Sequence, residues 1–443
     1  MRPNIFLITI DALRADYILS KDSDIHPFLS YLMDKSVVFE KAVSPACGTP
    51  PSFKGLFSEI TPSYLYPEHG YKIPNNVDFL PSELQRMGYH TIGVSNNAYL
   101  TRIQGYDRGF DDFYDGLGNN KSNAGKKEDV HKKIMNIKNR ILSFLDENYE
   151  IRLDRGKSIF GRILAKFNKK GYEPAEKIND IAKQYIERYN GEKPLFVWLH
   201  YMEVHSPYDL SNEFFGKINE KEIPLWERQW LRHQRHNYNK FSESELSEED
   251  MEKIRTLYKC GIRNADEAIE DFYNFLKEKH LINDIKFVVT SDHGENLSEW
   301  DLLTHRSLYN SVLHVPLFIY DGKEKIRVKD VFSTCNLMDL LIDTIDNTPS
   351  EESLKEYTGH AISEGAGRKF TIQNKKYKMI KNTDTDETDL YKLVNFKERE
   401  IEEISPEDVS QITKLESVLN VHIKKVKDAE KDKIKETLKN IEI

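Results

Sequence analysis

Cysteine is scarce in this sequence: Cys47, Cys260 and Cys335 are few, odd in number and far apart among 443 residues. Such spacing implies no disulfide framework. Long hydrophobic runs are missing as well. The longest, "PLFVWL" and "VPLFIY", fall far short of the roughly 18 to 20 residues that cross a membrane as a helix. An excess of positive charge is also absent: 64 Lys and Arg face 73 Asp and Glu, a formal net charge of −9. That balance removes the general case for nucleic acid or an anionic membrane surface as a partner. Finally, "NIFLITID" begins at Asn4 and reads as a buried strand, leaving no secretory n-region and cleavage site. Together these absences predict a reduced, cytoplasmic protein; they leave its oligomeric state open.

What is present suits a large α/β protein. Apolar residues make up 39% of the chain and aromatics 11%, enough for a substantial core. The length exceeds a typical single domain and predicts one large unit with a smaller appendage. Nearly continuous apolar runs at Asn4–Ile10, in "EKPLFVWLHY" and in "IKFVVTSDHGE" read as strands of a sheet covered on both faces. Helices are expected between them: Pro27 to Asp34, a segment stopped by Gly88, "AEKINDIAKQYIERYN", and Met251 to Lys279. Shorter strands are expected near Val37–Phe39 and Thr91–Val94. Strands alternating with helices at this spacing predict a doubly wound, mostly parallel sheet over residues 1–345. Residues 346–443 are expected to form a small α+β domain, an antiparallel meander turning at Asn382–Thr388 and a charged C-terminal helix. A basic helical insertion interrupts the first unit at about 118–185. Its densest part, Gly118 to Lys170, carries about 14 Lys and Arg against about 6 Asp and Glu. It reads as a solvated excursion or as a lid over an anion.

Ligands of an open α/β sheet bind beyond the carboxyl ends of its strands, and four polar clusters fall there. Asp11 follows the first strand in "TIDALRAD"; Asn97 follows "TIGV"; His200, Glu203 and His205 follow "LFVW"; Asp292 and His293 follow "FVVT" in "SDHGE". Each has a plain alternative. Asp11 is also a good N-cap for a helix starting at Ala12, and His205, before Ser206-Pro207, is also a turn residue. An adjacent Asp-His at a strand end offers an oxygen and a nitrogen to one cation. In "SPACGTPPSFKG", Thr49 reads as an N-cap with Pro50 at N1. Its hydroxyl would then sit among the amides of a helix N-terminus, where an oxyanion is held.

Taken in order, these motifs resemble a known family. "IDALRAD", "SPACGTPPSFKGLFSEITP", "NAYLTRIQGYDRGFDDFYD", "LFVWLHYMEVHSPY", "VVTSDHGE…LTHRSLYNSVLHVPLFIYD" and "YKMIKN…TDLYKLVNFKERE" are similar to the sulfatase family of the alkaline phosphatase superfamily. The resemblance runs from about Asn4 to Arg399 and implies that superfamily's large mixed sheet, followed by a four-stranded antiparallel sheet. It implies metal ligands at Asp11, Asp292 and His293, with the nucleophile as a further ligand. The family's second Asp is here Ala12. The cation implied is Ca²⁺, with Mg²⁺, Mn²⁺ and Zn²⁺ open to such a donor set. His205 and His305 match positions that contact the ester or protonate the leaving group. Arg14, Lys54 and Asn97 are candidate substrate contacts. The partner implied is a small anionic ester, with a saccharide as one form of it.

The family's nucleophile motif is Cys or Ser, any residue, Pro, then two positions of which the last is Arg. Registered on Pro51, it places Thr49 at the nucleophile and Phe53 where Arg belongs. Registered on Cys47, it puts Thr49 where Pro is needed. Cys47 therefore reads as a packing residue, and Thr49 as the nucleophile. A threonine ester cannot collapse to an aldehyde as a formylglycine hydrate does, so it must be hydrolysed or passed on. Threonine nucleophiles are typical of phosphoryl-transfer relatives, which makes a phosphotransferase or phosphodiesterase the first alternative and a binding protein without turnover the second. Two-metal members carry an Asp four residues before the histidine; here that position is Tyr201, which implies a single metal.

Overall fold

The computed structural model describes residues 2–20, 23–62, 72–117 and 172–441, apart from 75, 209, 242–245, 304, 324, 347–348, 367 and 402–403. Most of the basic insertion lies outside the described residues. Nine strands form one sheet among those described: β1 (Asn4–Ile10), β2 (Ser36–Val43), β3 (His90–Val94), β4 (Asp112–Tyr114), β5 (Leu195–Tyr201), β6 (Ile285–Thr290), β7 (His314–Val315), β8 (Leu317–Tyr320) and β9 (Ile326–Ser333). Their spatial order is β4-β3-β5-β1-β6-β8-β2-β7, with β9 also beside β2. From β4 to β6 neighbouring strands run parallel, whereas β8 is antiparallel to both β6 and β2.

The periodicity of β1 explains why its run is unbroken. Phe6, Ile8 and Ile10 enter one apolar layer and Ile5 and Leu7 the other, so both faces are covered and neither tolerates a polar residue. The helices that cover them are α1 (Pro27–Met33), α2 (Thr49–Ser58), α3 (Ala175–Arg188), α4 (Leu225–Phe241) and α5 (Glu248–Glu278). The last begins three residues earlier than expected because Ser247 and Asp250 close a capping box. Its Asp266, in turn, accepts from the amides of Phe28 and Leu29 and so caps the start of α1.

A second, antiparallel sheet follows in chain order: β10 (Ala361–Gly365), β11 (Lys369–Gln373), β12 (Tyr377–Asn382), β13 (Thr388–Val394) and β14 (Lys397–Glu400). It has five strands, not the four that the resemblance implied. Asn395 (φ 49°) and Phe396 (φ 61°) make a left-handed two-residue turn that folds β14 back onto β13. The helix α6 (Pro406–Ile441) lays Leu415, Leu419 and Ile423 on Phe370, Ile372 and Met379. Where the two sheets' layers meet, Lys378 of β12 donates to Glu398 of β14 and to Asn310, each at 2.7 Å. Among the described residues no helix is long and apolar enough to cross a membrane.

Candidate active site

The carboxyl ends of β1 and β6 lie side by side, which brings Asp11 to Asp292 and His293. Ligand atoms of these three buried residues lie within 4.8 Å of one another. Each carboxylate has one oxygen tied down and one open. Asp11 Oδ2 accepts from Asn97 Nδ2 at 2.9 Å and from Thr49 Oγ1 at 3.2 Å. Asp292 Oδ1 accepts from the amides of Ala12 and His293. Asp11 Oδ1 and Asp292 Oδ2 are buried with no partner. The His293 ring is fixed by Nδ1 against the Gly294 carbonyl at 2.8 Å. Its Nε2 therefore faces the cluster, 3.7 Å from Asp11 Oδ1 and 3.5 Å from Asp292 Oδ2. Two orphaned carboxylate oxygens and an imidazole nitrogen in a dry pocket form an oxygen-and-nitrogen donor set that fits one divalent cation.

Thr49 closes the cluster, its Oγ1 lying 3.4 Å from His293 Nε2. The local reading of Thr49 needs correction. Gly48, not Thr49, is the N-cap of α2, and Thr49 is its first helical residue. Its hydroxyl turns to Asp11 and His293 instead of back onto its own helix. Asp11 likewise caps nothing: Ala12 is left-handed at φ 64° and the next short helix starts only at Ala15. That turn lets Leu13 N reach Ser291 Oγ at 3.0 Å, tying β1's exit to β6's.

The electrostatics follow from this crowding. Burial works to raise Asp11, but the neighbouring imidazoles of His205, His200 and His293 outweigh it and hold the carboxyl well below its usual range. Asp292 is pushed up by burial and by Asp11's like charge. Burial works to lower His293, yet Asp292 and Asp11 prevail and raise it. A cluster in which Asp292 and His293 hold on to protons beside an ionised Asp11 has room for a cation's charge.

His305 stacks on His293 with ring centroids 4.7 Å apart, and His205 stands 6.1 Å from His305. Burial, then the charge of His293, lowers His305 to about 4. Opposing this, Glu295 Oε1 lies 3.9 Å from His305 Nδ1. Glu295 is itself held by Arg235 of α4, Nη2 to Oε2 at 2.6 Å, and Arg235 also donates to Tyr208 at 2.6 Å. Neither Glu295 nor Arg235 was picked out from the sequence. Glu295 stands in the conspicuous "SDHGE"; Arg235 looks like any charge on a polar helix.

The other candidates are distributed as follows. Asn97 serves Asp11. Arg14 is directed away: its guanidinium donates to Asp16, to Glu299 at 2.7 Å and to the Glu295 carbonyl, so four of its five donors are already taken. Lys54, five residues along α2, lies about 140° round the helix from Thr49; it is buried, and burial lowers its ammonium to about 8. Phe53, one turn from Thr49, sits where the motif has Arg and packs edge-on against His200 at 5.1 Å and against Trp198 and Tyr106. Glu203 is taken by structure, accepting from the amides of Ala175 and Met202. Tyr201 is likewise taken, its hydroxyl bonded to Asn179. Cys47 is a buried free thiol, raised by burial, packed with Val43, Leu308 and Leu313.

Comparison with known proteins gives the family and the fold. The model of the family described as sulfatase matches residues 3–345. An arylsulfatase of Clostridium perfringens is 22% identical over 77% of this chain and 75% of its own. Arylsulfatase K of Rattus norvegicus is 20% identical over 80% of this chain and 62% of its own. Among solved structures, BT4656 in complex with its substrate D-glucosamine-2-N,6-O-disulfate aligns with a TM-score of 0.66 at 14% identity, covering 97% of this chain and 99% of that one. Phosphonate monoester hydrolase of Agrobacterium radiobacter aligns at 0.60 and 15% identity, covering 88% and 89%. The chain belongs to the sulfatase family, on the fold of the alkaline phosphatase superfamily.

Proposed function

We propose that this protein is a single-metal hydrolase of a sulfate or phosphate ester, with Thr49 as covalent nucleophile. The observation that carries this reading is the convergence of Thr49 Oγ1 on Asp11 and His293, beside two carboxylate oxygens with no other partner. Asp11, Asp292, His293 and Thr49 would hold the cation. Bound there, it supplies Lewis-acid polarisation of the ester and lowers the pKa of the threonine hydroxyl.

The chain's own residues account for the remaining steps. The proton of Thr49 Oγ1 points along its hydrogen bond to Asp11 Oδ2, so that oxygen is the acceptor in line for it. Attack by Oγ1 forms the bond to sulfur or phosphorus while the bond to the ester oxygen breaks. The departing oxygen takes a proton from His205, or from His305 in its protonated form, the two rings lying 6.1 Å apart and tilted by 47°, with His305 stacked on His293. Water then attacks the threonine ester at sulfur or phosphorus, giving a proton to the imidazole that has just lost one; the bond to Oγ1 breaks, Oγ1 takes its proton back from Asp11, and the anion is released. The position of Thr49 in the first turn of α2 adds the positive end of a helix to the stabilisation of that charge.

A second reading, phosphoryl transfer or phosphodiester cleavage, draws on two observations. Threonine stands at the nucleophile, and Phe53 leaves the motif's cationic position apolar. The test is to assay the metal-loaded protein on p-nitrophenyl sulfate, p-nitrophenyl phosphate and a phosphodiester, with Thr49→Ala and Cys47→Ser alongside. Thr49→Ala is expected to abolish turnover and Cys47→Ser to retain it; the reverse sinks the assignment. Preference for the diester moves the reading to the second one. No turnover on any ester with any divalent metal leaves a binding protein.

A further inference from the structure

The segment from Gly294 to His305 does two things. Its last residue covers His293. Its tip, Trp300, stands at a crevice of about 830 Å³ between the large sheet's loops and the β13–β14 hairpin, a size that suits a small ligand.

The tip is held in an unusual way. Ser298 (φ 95°), Trp300 (φ 54°) and Asp301 (φ 53°) all lie in the left-handed region, which side-chain-bearing residues rarely adopt and which persists only when surroundings impose it. Here they do. Glu299 is gripped by Arg14 at 2.7 Å and by the Leu297 amide, and Ser298 accepts from Arg255. The Trp300 indole is stacked on Tyr309 at 4.7 Å and 14°. Yet Trp300 is 41% exposed: Tyr309 backs one face, Tyr391 meets the ring edge-on at 5.7 Å, and part of the ring stays open. A backed aromatic face beside polar groups is an amphipathic platform.

The crevice also contains charges left without ion pairs. Arg327 of β9 and Arg399 of β14 line it, as do Glu40 of β2 and Glu400, and none of the four forms a salt bridge among the described residues. Planar guanidinium groups suit sulfate or carboxylate bidentately, and carboxylates accept from hydroxyl groups. A flat, hydroxylated ligand bearing an acid group satisfies all three features.

We infer that this crevice binds an anionic saccharide, a sugar face stacking on Trp300, its acid group meeting Arg327 and Arg399, and its hydroxyls meeting Glu40 and Glu400. The inference does not depend on the chemistry proposed at Thr49.

The test uses the full chain carrying Thr49→Ala, so that no bound glycan is turned over. Calorimetry and tryptophan fluorescence would follow binding of a heparin-derived tetrasaccharide, its desulfated counterpart and inorganic sulfate. The sulfated tetrasaccharide should bind, and adding Trp300→Ala, or Arg327→Ala with Arg399→Ala, should each weaken it at least tenfold. The arginine pair lies far from the strained tip in sequence, so it reads the site even if Trp300→Ala rearranges that tip. Equal affinity across these variants, inorganic sulfate binding as tightly as the tetrasaccharide, no binding at all, or loss only on His205→Ala would each overturn the inference.

Discussion

Arg235 and Glu295 form an ion pair 2.6 Å long in which the side chains are 6% and 1% exposed. The pair joins α4 to the loop that carries His305, and Glu295 is left with Oε1 free of any hydrogen bond. Because both charges are dry, removing one leaves the other uncompensated. Arg235→Ala is therefore expected to destabilise the protein by about 3–5 kcal/mol, read as a shift in denaturation midpoint at unchanged slope. A change below about 1 kcal/mol would mean that water reaches the pair.

Glu295→Gln preserves volume and removes the charge facing His305 Nδ1. If Glu295 keeps that imidazole oriented and ready to donate, the variant should lose about 10–100-fold in kcat on esters with poor leaving groups. It should lose much less on p-nitrophenyl esters, whose leaving group needs no proton, with KM little changed. Equal losses for both leaving groups would reduce Glu295 to a structural role.

The fold was readable where one physical rule acted alone. β1, β5 and β6 are covered on both faces, so their runs are apolar throughout, and the residues at their ends had to be polar for another reason. That logic singled out Asp11, Asp292 and His293, which the structure brings together. It failed where two rules competed for one residue. Thr49 obeys helix-capping preferences, yet Gly48 takes the cap and frees the hydroxyl for Asp11. Arg14 follows the first strand and has the charge for an anion, but Asp16 and Glu299 lie nearer to it. Arg235 was illegible because its burial is decided by Glu295 and Tyr208, sixty and twenty-seven residues away in sequence, while its own helix reads as a solvated surface.

Loading the metal site should stabilise the fold. Asp11 Oδ1 and Asp292 Oδ2 both lie unpartnered beside His293 Nε2, so a cation binding only the native state raises stability by about 2.7 kcal/mol at a hundred times its Kd. Thermal unfolding after exhaustive chelation, then with Ca²⁺, Mg²⁺, Mn²⁺ or Zn²⁺ added, should show a rise in Tm for at least one ion. Asp292→Asn should abolish that rise without unfolding the chain. Indifference to every ion, or a full rise in the variant, would remove these residues from the ligand set.

The seam between the sheets offers a separate test. Lys378 is fully buried, and although burial lowers its ammonium, Glu398 acts in the opposite direction. Glu398 also accepts from the Asn310 amide at 2.7 Å. Glu398→Ala thus strands both a buried ammonium and an amide, and should cost about 3–5 kcal/mol. Glu398→Ala with Lys378→Met should recover most of that loss, since the uncompensated charge is gone. No recovery in the double variant would show that the Asn310 contact, not the ion pair, holds the seam.

Glu203 gives the sign of one pH dependence. Burial raises its carboxyl to about 7, although the Ala175 and Met202 amides favour the charged form. A group whose folded value lies above its unfolded value stabilises the fold fully below the unfolded value, near 4.5. That contribution is lost as pH rises through the folded one. The gap corresponds to about 3 kcal/mol. Glu203→Gln, which cannot ionise, should therefore gain on the parent protein by about that amount as pH is taken from 4.5 to 7.5. The comparison is made by denaturant titration at each pH, with the difference between the two proteins cancelling every other titrating group. A constant difference across that range would mean that the two amides keep Glu203 ionised throughout, and that α3 begins on a fixed negative charge at its N-terminus.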